Sequence, residues 1–299
     1  MRWASLSLLI PFLAAAGLVL AAEPPASAGR SEWDAWKQRR LANLRKEDGW
    51  LSLVGLFWLQ PGENSVGSAK DGDVVLPPSV PAALGSIVVS DGKAVYKPGP
   101  EAASLDGRVV REPVPLTADA DGDPTTLRHG TVLFYLIRRG DRLAIRAKDS
   151  ASPVRASFEG IEMWPYQEVW RKSARFQRYD PPKQIPVPNV DGTIEATRSP
   201  GAVVFEEGGK TYSVDAVAEK EGDDLWLIFG DTTNGDDSYG GGRFLYTKPP
   251  AADGSVIVDF NRSYNPPCVF TPYATCPLPP KQNKLPIKVE AGEKAWGKH

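Results

Sequence analysis

A two-residue turn at Gly140-Asp141 constrains the fold of this chain more than any other feature. It separates two alternating runs, Thr131 to Arg139 and Arg142 to Lys148. A two-residue connection fixes the register, so Arg139 faces Arg142, Tyr135 faces Arg146 and Leu133 faces Lys148. Strand side chains alternate between faces, which gathers Val132, Phe134, Leu136, Leu143, Ile145 and Ala147 on one apolar side. The other side mixes Leu133, Tyr135 and Ile137 with Arg142, Arg146 and Lys148. The same punctuation recurs at Ser90-Asp91-Gly92-Lys93, between Ile87-Val88-Val89 and Ala94-Val95-Tyr96. It recurs again at Glu207-Gly208-Gly209, between Ala202 to Phe205 and Thr211 to Val217. Trp50 to Leu59 is an apolar run ending in Gln60-Pro61-Gly62-Glu63, and Leu225 to Phe229, Arg243 to Thr247 and Ser255 to Phe260 read as further strands. Many short strands, broken by 28 glycines and 28 prolines, predict a mainly β chain of antiparallel sheets, sandwich-like or barrel-like. Strands do not alternate with helices, which argues against a doubly wound nucleotide-binding fold.

One helix is expected, from Ser31 to about Lys46. Ser31 is its cap, Asp34 completes a capping box, and Gly49 follows the exit. Trp33, Trp36, Leu41 and Leu44 fall near one face, with Arg39, Arg40, Arg45 and Lys46 mostly elsewhere. The proline-rich stretch Pro181 to Pro188 reads as a boundary. Residues 31–180 then hold the helix and a first β lobe, and residues 181–299 a second, the two packed as one compact unit. Residues 1–22 read as a signal peptide, with Arg2 before an apolar run from Leu6 to Leu20 and cleavage as late as residue 28. An exported protein, periplasmic or extracellular, is expected; an uncleaved anchor is the alternative, for which the run is short. No later segment reaches 18 consecutive apolar residues, so no further span is expected. A formal charge of −2 from interspersed acids and bases argues against a nucleic-acid partner.

The C-terminal block runs from Asp259 through Asn261, Arg262, Tyr264, Asn265, Pro266, Pro267 and Cys268, then from Thr275 through Cys276 and Pro280 to Asn283. Its prolines fix φ and extend the residues before them, which shapes a semi-rigid strap. Cys268 and Cys276 are the only cysteines. In an exported chain their spacing favours a disulfide; a reactive thiol or two buried free thiols are the alternatives. The spacing is not that of a Cys-x-x-Cys redox motif.

The polar face of the Gly140-Asp141 hairpin is one candidate site. Tyr135, Arg146 and Lys148 supply charge and stacking there, and Arg243, Asn261, Arg262 and Asn265 supply directed hydrogen bonds. Together they would hold a small amphipathic or anionic ligand; the alternative is a solvated sheet face. The polar loop Asp231 to Arg243 and the acidic turn Asp119 to Asp123 fit no calcium-loop spacing, since Gly130 stands where the second would need a bidentate Glu. Catalytic signatures are sparse. The only histidines are His129 and His299, Gly-x-Ser-x-Gly fails at Asp236, and Val204 replaces the first glycine of a phosphate loop. No metal and no cofactor is expected. Two readings compete with ligand binding: a histidine-independent hydrolase with Asp231, Asp259, Tyr264 or Cys268 near the chemistry, and a structural or partner-binding envelope protein.

The strap, with Gly242-Arg243-Phe244-Leu245-Tyr246 before it and Ala291-Gly292-Glu293-Lys294 after it, resembles domain-of-unknown-function family 1684 of bacteria and archaea. Asp48 to Leu59 and Arg146 to Asp149 are similar to that family as well. The most specific element is Asn-Pro-Pro-Cys followed by Cys-Pro-Leu-Pro-Pro. The resemblance implies kinship and brings no activity with it.

Overall fold

The computed structural model describes residues 27–297; the expected signal peptide and His299 lie outside them. Helix α1 (Ala28–Leu44) is capped by Ser27, whose hydroxyl accepts from Arg30 N at 3.2 Å. The helix therefore begins before the expected cap: Ser31 N donates to Ser27 O inside the first turn, and Asp34 pairs with Arg30 rather than closing a box. Ser27 prevails because its hydroxyl also donates to Glu168, at 2.9 Å, which ties the helix start to the body of the protein. Trp33 and Leu44 are buried as expected, and Trp36 and Leu41 are half-buried.

A single 3-10 turn, Trp50–Ser52, opens the run that was expected to be strand throughout. Then come β1 (Leu53–Trp58), β2 (Gly62–Gly67), β3 (Val74–Val75), β4 (Gly85–Ser90), β5 (Lys93–Pro98), β6 (Ser104–Leu105), β7 (Arg108–Val109), β8 (Val114–Leu116), β9 (Thr126–His129), β10 (Val132–Arg139) and β11 (Arg142–Asp149). They form two sheets, ordered β1-β11-β10-β9-β6-β7 and β3-β2-β4-β5-β8, which share one apolar core. The β10–β11 register is the expected one, with Arg139 opposite Arg142 and Tyr135 opposite Arg146. Gly140 has φ of 56°, the first position of a type II′ turn, which glycine takes without a Cβ clash. All six residues of the expected apolar face are buried.

A second helix, α2 (Pro153–Ala156), was not expected; it is one turn long, with Pro153 at its start, where the missing N–H is no loss. Beyond it lie β12 (Arg171–Pro188), β13 (Ile194–Glu207), β14 (Lys210–Val217), β15 (Leu225–Phe229), β16 (Arg243–Thr247) and β17 (Ser255–Asp259). Their sheet, ordered β16-β15-β14-β13-β12-β17, curls until its edge strands approach each other, a half-barrel around a second core. Strand makes up 43% and helix 13%, so the protein is mainly β.

The stretch Pro181 to Pro188 is not a linker but the second half of β12. Pro181 and Pro182 sit at the register shift between Arg178 and Lys183, and β17 pairs only with residues 171–175 of β12. The later prolines thus lie on a strand with one ladder, where a missing donor is tolerated. The strap crosses the ends of the half-barrel. Leu278 N donates to Pro188 O at 2.7 Å and Leu285 N to Gly230 O at 2.7 Å, while the Asn283 side chain donates to Asp215 O and Ile228 O.

Two tyrosines give the fold an alkaline limit. Tyr166 donates to Glu168 at 2.8 Å and Tyr179 to Asp215 at 2.7 Å. Burial first, and then the carboxylate partner, pushes each phenol up to about 12. Both folded values exceed the ordinary one of about 10. Their stabilising contribution is therefore complete below the ordinary value and lost as pH rises through the folded one. Absorbance at 295 nm should show both ionising late, with a parallel fall in melting temperature, and Tyr179→Phe should soften that fall. Ionisation of both at the ordinary phenol value would exclude this linkage.

Candidate functional site

A cavity of about 230 Å³ lies where the first sheet meets the half-barrel and the strap. Arg146 reaches it from β11, held between Tyr135 of β10 and Leu56 of β1. Trp50 comes from the 3-10 turn, Arg40 from α1, Trp226 and Phe244 from β15 and β16, and Tyr264 from the strap. Pro267 and the run Ala274 to Pro277 close the remaining wall. That wall is braced by a disulfide between Cys268 and Cys276, whose Cα atoms are 6.2 Å apart. Cys268 is thus not a nucleophile.

Three guanidinium groups line this cavity, and they are not equivalent. Arg40 is held by Glu293 in a two-point contact at 2.8 and 3.2 Å and lies 4.7 Å over the Tyr264 ring. Arg139 forms a second such fork with Asp119, at 3.1 and 2.9 Å. Arg146 is only 4% exposed, yet among the described residues no carboxylate pairs with it. Its Nη2 makes a long contact with Thr275 Oγ1 at 3.4 Å, its Nε has no hydrogen-bond partner, and its guanidinium lies 5.5 Å from the Trp50 ring. The Trp226 indole N–H is also buried without a partner. Buried donors are ordinarily satisfied, so the cavity holds one unneutralised positive charge and a surplus of donors among aromatic rings. Burial raises the Tyr264 phenol far above its usual value, which keeps it a neutral donor.

The expected site residues separate into groups. Arg146 and Tyr264 line the cavity, and Cys276 joins them. Tyr135 and Lys148 stand beside Arg146: the Lys148 ammonium lies 5.8 Å from the Tyr135 ring and donates to Asp48 O, and burial pulls its pKa down. Arg243 lies elsewhere, wholly buried with Asp231. Asn261 clasps the backbone of Gln167 and accepts nothing from the cavity. Asn265 donates to Lys294 O, and Arg262 to Glu32. Asp259 lines a different cavity. Sequence reasoning missed Arg40, Arg139, Trp50, Trp226 and Thr275. Strand parity already carried Arg139 to the face of Arg146, and that signal was available. Nothing local signalled Arg40, whose helix position reads as solvent-facing.

Residues 156–294 match a family model described as "Protein of unknown function (DUF1684)". Over this stretch, just under half of its length, the chain is similar to that family. The matched stretch supplies the half-barrel, the strap and the wall around Tyr264; Arg40, Trp50, Arg139 and Arg146 lie outside the matched residues. The cavity is therefore built jointly by residues inside the matched stretch and by the helix and sheet before it. A solution NMR structure of an uncharacterized protein from Haloarcula marismortui is 28% identical, with a TM-score of 0.40, covering 47% of this chain and 78% of that one. No curated protein matches the chain.

Proposed function

We propose that the protein binds a small amphipathic anion in the cavity at Arg146. The observation that carries this reading is the buried Arg146 guanidinium, with no carboxylate of its own, beside the unpartnered Trp226 N–H. A carboxylate or similar oxyanion would neutralise the one and accept from the donors around it, and such charge-assisted bonds are the strong ones. The aromatic walls suit a flat or short apolar body. The volume is below the roughly 300–1,000 Å³ of drug-sized sites, which points to something like an aromatic or short-chain monocarboxylate. The side-chain amides of Asn261, Asn265 and Asn283 donate to backbone carbonyls and lie outside the cavity lining, so this reading gives them no ligand contact.

Export belongs to the same reading and is supported by the disulfide, which persists in oxidising compartments. Among the described residues no helix is long and apolar enough to cross a membrane. Cleavage after Ala22 would leave the Ser27 cap in place, whereas cleavage at residue 28 would remove it. Cell fractionation with N-terminal sequencing of the mature chain tests this; a cytoplasmic, unprocessed chain rejects it.

The binding test is a thermal-shift series with benzoate, indole-3-carboxylate, hexanoate and inorganic phosphate, with benzyl alcohol as the uncharged control. A ligand at 100 times its dissociation constant adds about 2.7 kcal/mol, a rise of roughly 5 °C for a chain of this size. We expect a shift with at least one carboxylate, none with benzyl alcohol, and its loss in Arg146→Met. A flat response to every anion, or an equal response in a folded Arg146→Met, rejects the reading.

A further inference from the structure

A second cavity, of about 590 Å³, shares only Tyr264 with the first. Helix α1 contributes Glu32 and Trp36 to it, β16 contributes Tyr246, and Asp259, Arg171 and Arg262 lie among them. Asp259 is 6% exposed. Its Oδ1 accepts from the Asn261 backbone N–H and side-chain amide, but its Oδ2 forms no hydrogen bond, although Arg262 Nε is 3.2 Å away. The Nε atoms of Arg171 and Arg262 are buried and equally without one. Acceptor and donors are thus unmatched side by side. Burial raises the Asp259 pKa, while Asn261 and the two arginines oppose it.

This arrangement selects against ions. A simple anion meets Asp259, a simple cation meets Arg171 and Arg262, and a zwitterion finds the carboxylate 3.2 Å from Arg262 and opposite Arg171 on β12 rather than opposite charges set at two poles. Groups that donate and accept at once, on a neutral body, fit it: hydroxyls. The cavity also offers aromatic surface, with Trp36 half-buried and Tyr246 49% exposed. The negative face of an aromatic ring attracts the C–H face of a pyranose, whose hydrogens are slightly positive. The volume lies in the ordinary range for ligand sites.

We propose that this cavity binds a neutral pyranose sugar, with Asp259, Arg171 and Arg262 on its hydroxyls and Tyr246 and Trp36 on its ring. The proposal does not rest on the anion site, and each can fail without the other.

The test is saturation-transfer NMR on the full protein with cellobiose, maltose and N,N′-diacetylchitobiose, followed by titration of whichever binds. We expect saturable binding of at least one. Tyr246→Ala and Asp259→Asn should each weaken it about tenfold, the effect of losing one good contact. Asp259→Asn keeps the Oδ1 acceptor for Asn261 and turns Oδ2 into a donor facing other donors; if either variant fails to fold, Trp36→Ala is read in its place. Arg146→Met should bind the sugar as the wild type does. No transfer to any of the three sugars, unchanged binding in the folded variants, displacement by phosphate, or loss in Arg146→Met each overturns the proposal.

Discussion

Replacing Asp231 with alanine should destabilise the protein by about 3–5 kcal/mol, the usual effect of removing one partner from a buried ion pair. Asp231 and Arg243 are both fully buried in the half-barrel and 2.7 Å apart. Asp231 Oδ1 also accepts from Thr233 N at 2.9 Å, Thr233 Oγ1 at 2.7 Å and Val289 N at 3.2 Å. Arg243 in turn donates to the backbone carbonyls of Val289 and Ala291. The pair thus clamps the segment around residues 289–291 onto β16. Without the carboxylate, a guanidinium whose pKa burial already depresses would stay charged without the partner that hydrogen-bonds it. Urea unfolding measures the loss directly. The double variant Asp231→Leu/Arg243→Met should unfold at a higher urea concentration than Asp231→Ala, because it leaves no buried charge unpaired. A loss of under about 1 kcal/mol, in the range of an exposed pair, would show that the clamp does not operate. Both residues read from sequence as candidates for chemistry or binding; in the structure they pair with each other and with backbone groups.

Opening the disulfide should lower stability by about 2–3 kcal/mol, the chain-entropy effect of a short closed loop. Cys268 and Cys276 are eight residues apart, and the Cys268 N–H points at the Cys276 sulfur at 3.1 Å. The loop between them carries Ala274 and Thr275, which with Cys276 and Pro277 form one wall of the Arg146 cavity. A looser loop releases Thr275, the neutral acceptor shared by Arg139 and Arg146. The double variant Cys268→Ala/Cys276→Ala should therefore fold, unfold at lower urea concentration, and lose most of the thermal response to a carboxylate. If wild type unfolds at the same midpoint with and without reductant, the bond contributes no stability. If the double variant keeps the full ligand response, the wall does not depend on the bond.

Local rules carried the hairpins. The Gly140-Asp141 turn fixed a register that the structure reproduces pair by pair, because the turn and the alternation act over a few residues and agree with each other. The mainly β class and the single long helix were legible for the same reason. The start of α1 was not, since Ser27 and Ser31 are equivalent caps in sequence and the choice fell to Glu168, 141 residues away. Nor was β12, where prolines looked like a boundary until a one-sided ladder made them harmless.

The cavity divides in the same way. Neighbouring residues alone place Arg146 opposite Tyr135 on the mixed face of a ribbon and make a stiff, cysteine-bearing strap. The packing of distant elements brings Tyr264, Arg146 and Cys276 together and leaves Arg243, Asn261 and Asn265 apart. It also decides that Arg40 and Arg139 arrive already neutralised, which leaves the charge on Arg146 alone. Turn type and side-chain parity are set by neighbouring residues, but counterions are assigned by whichever carboxylate the folded chain brings within reach: Glu293 for Arg40, Asp119 for Arg139, and, among the described residues, none for Arg146.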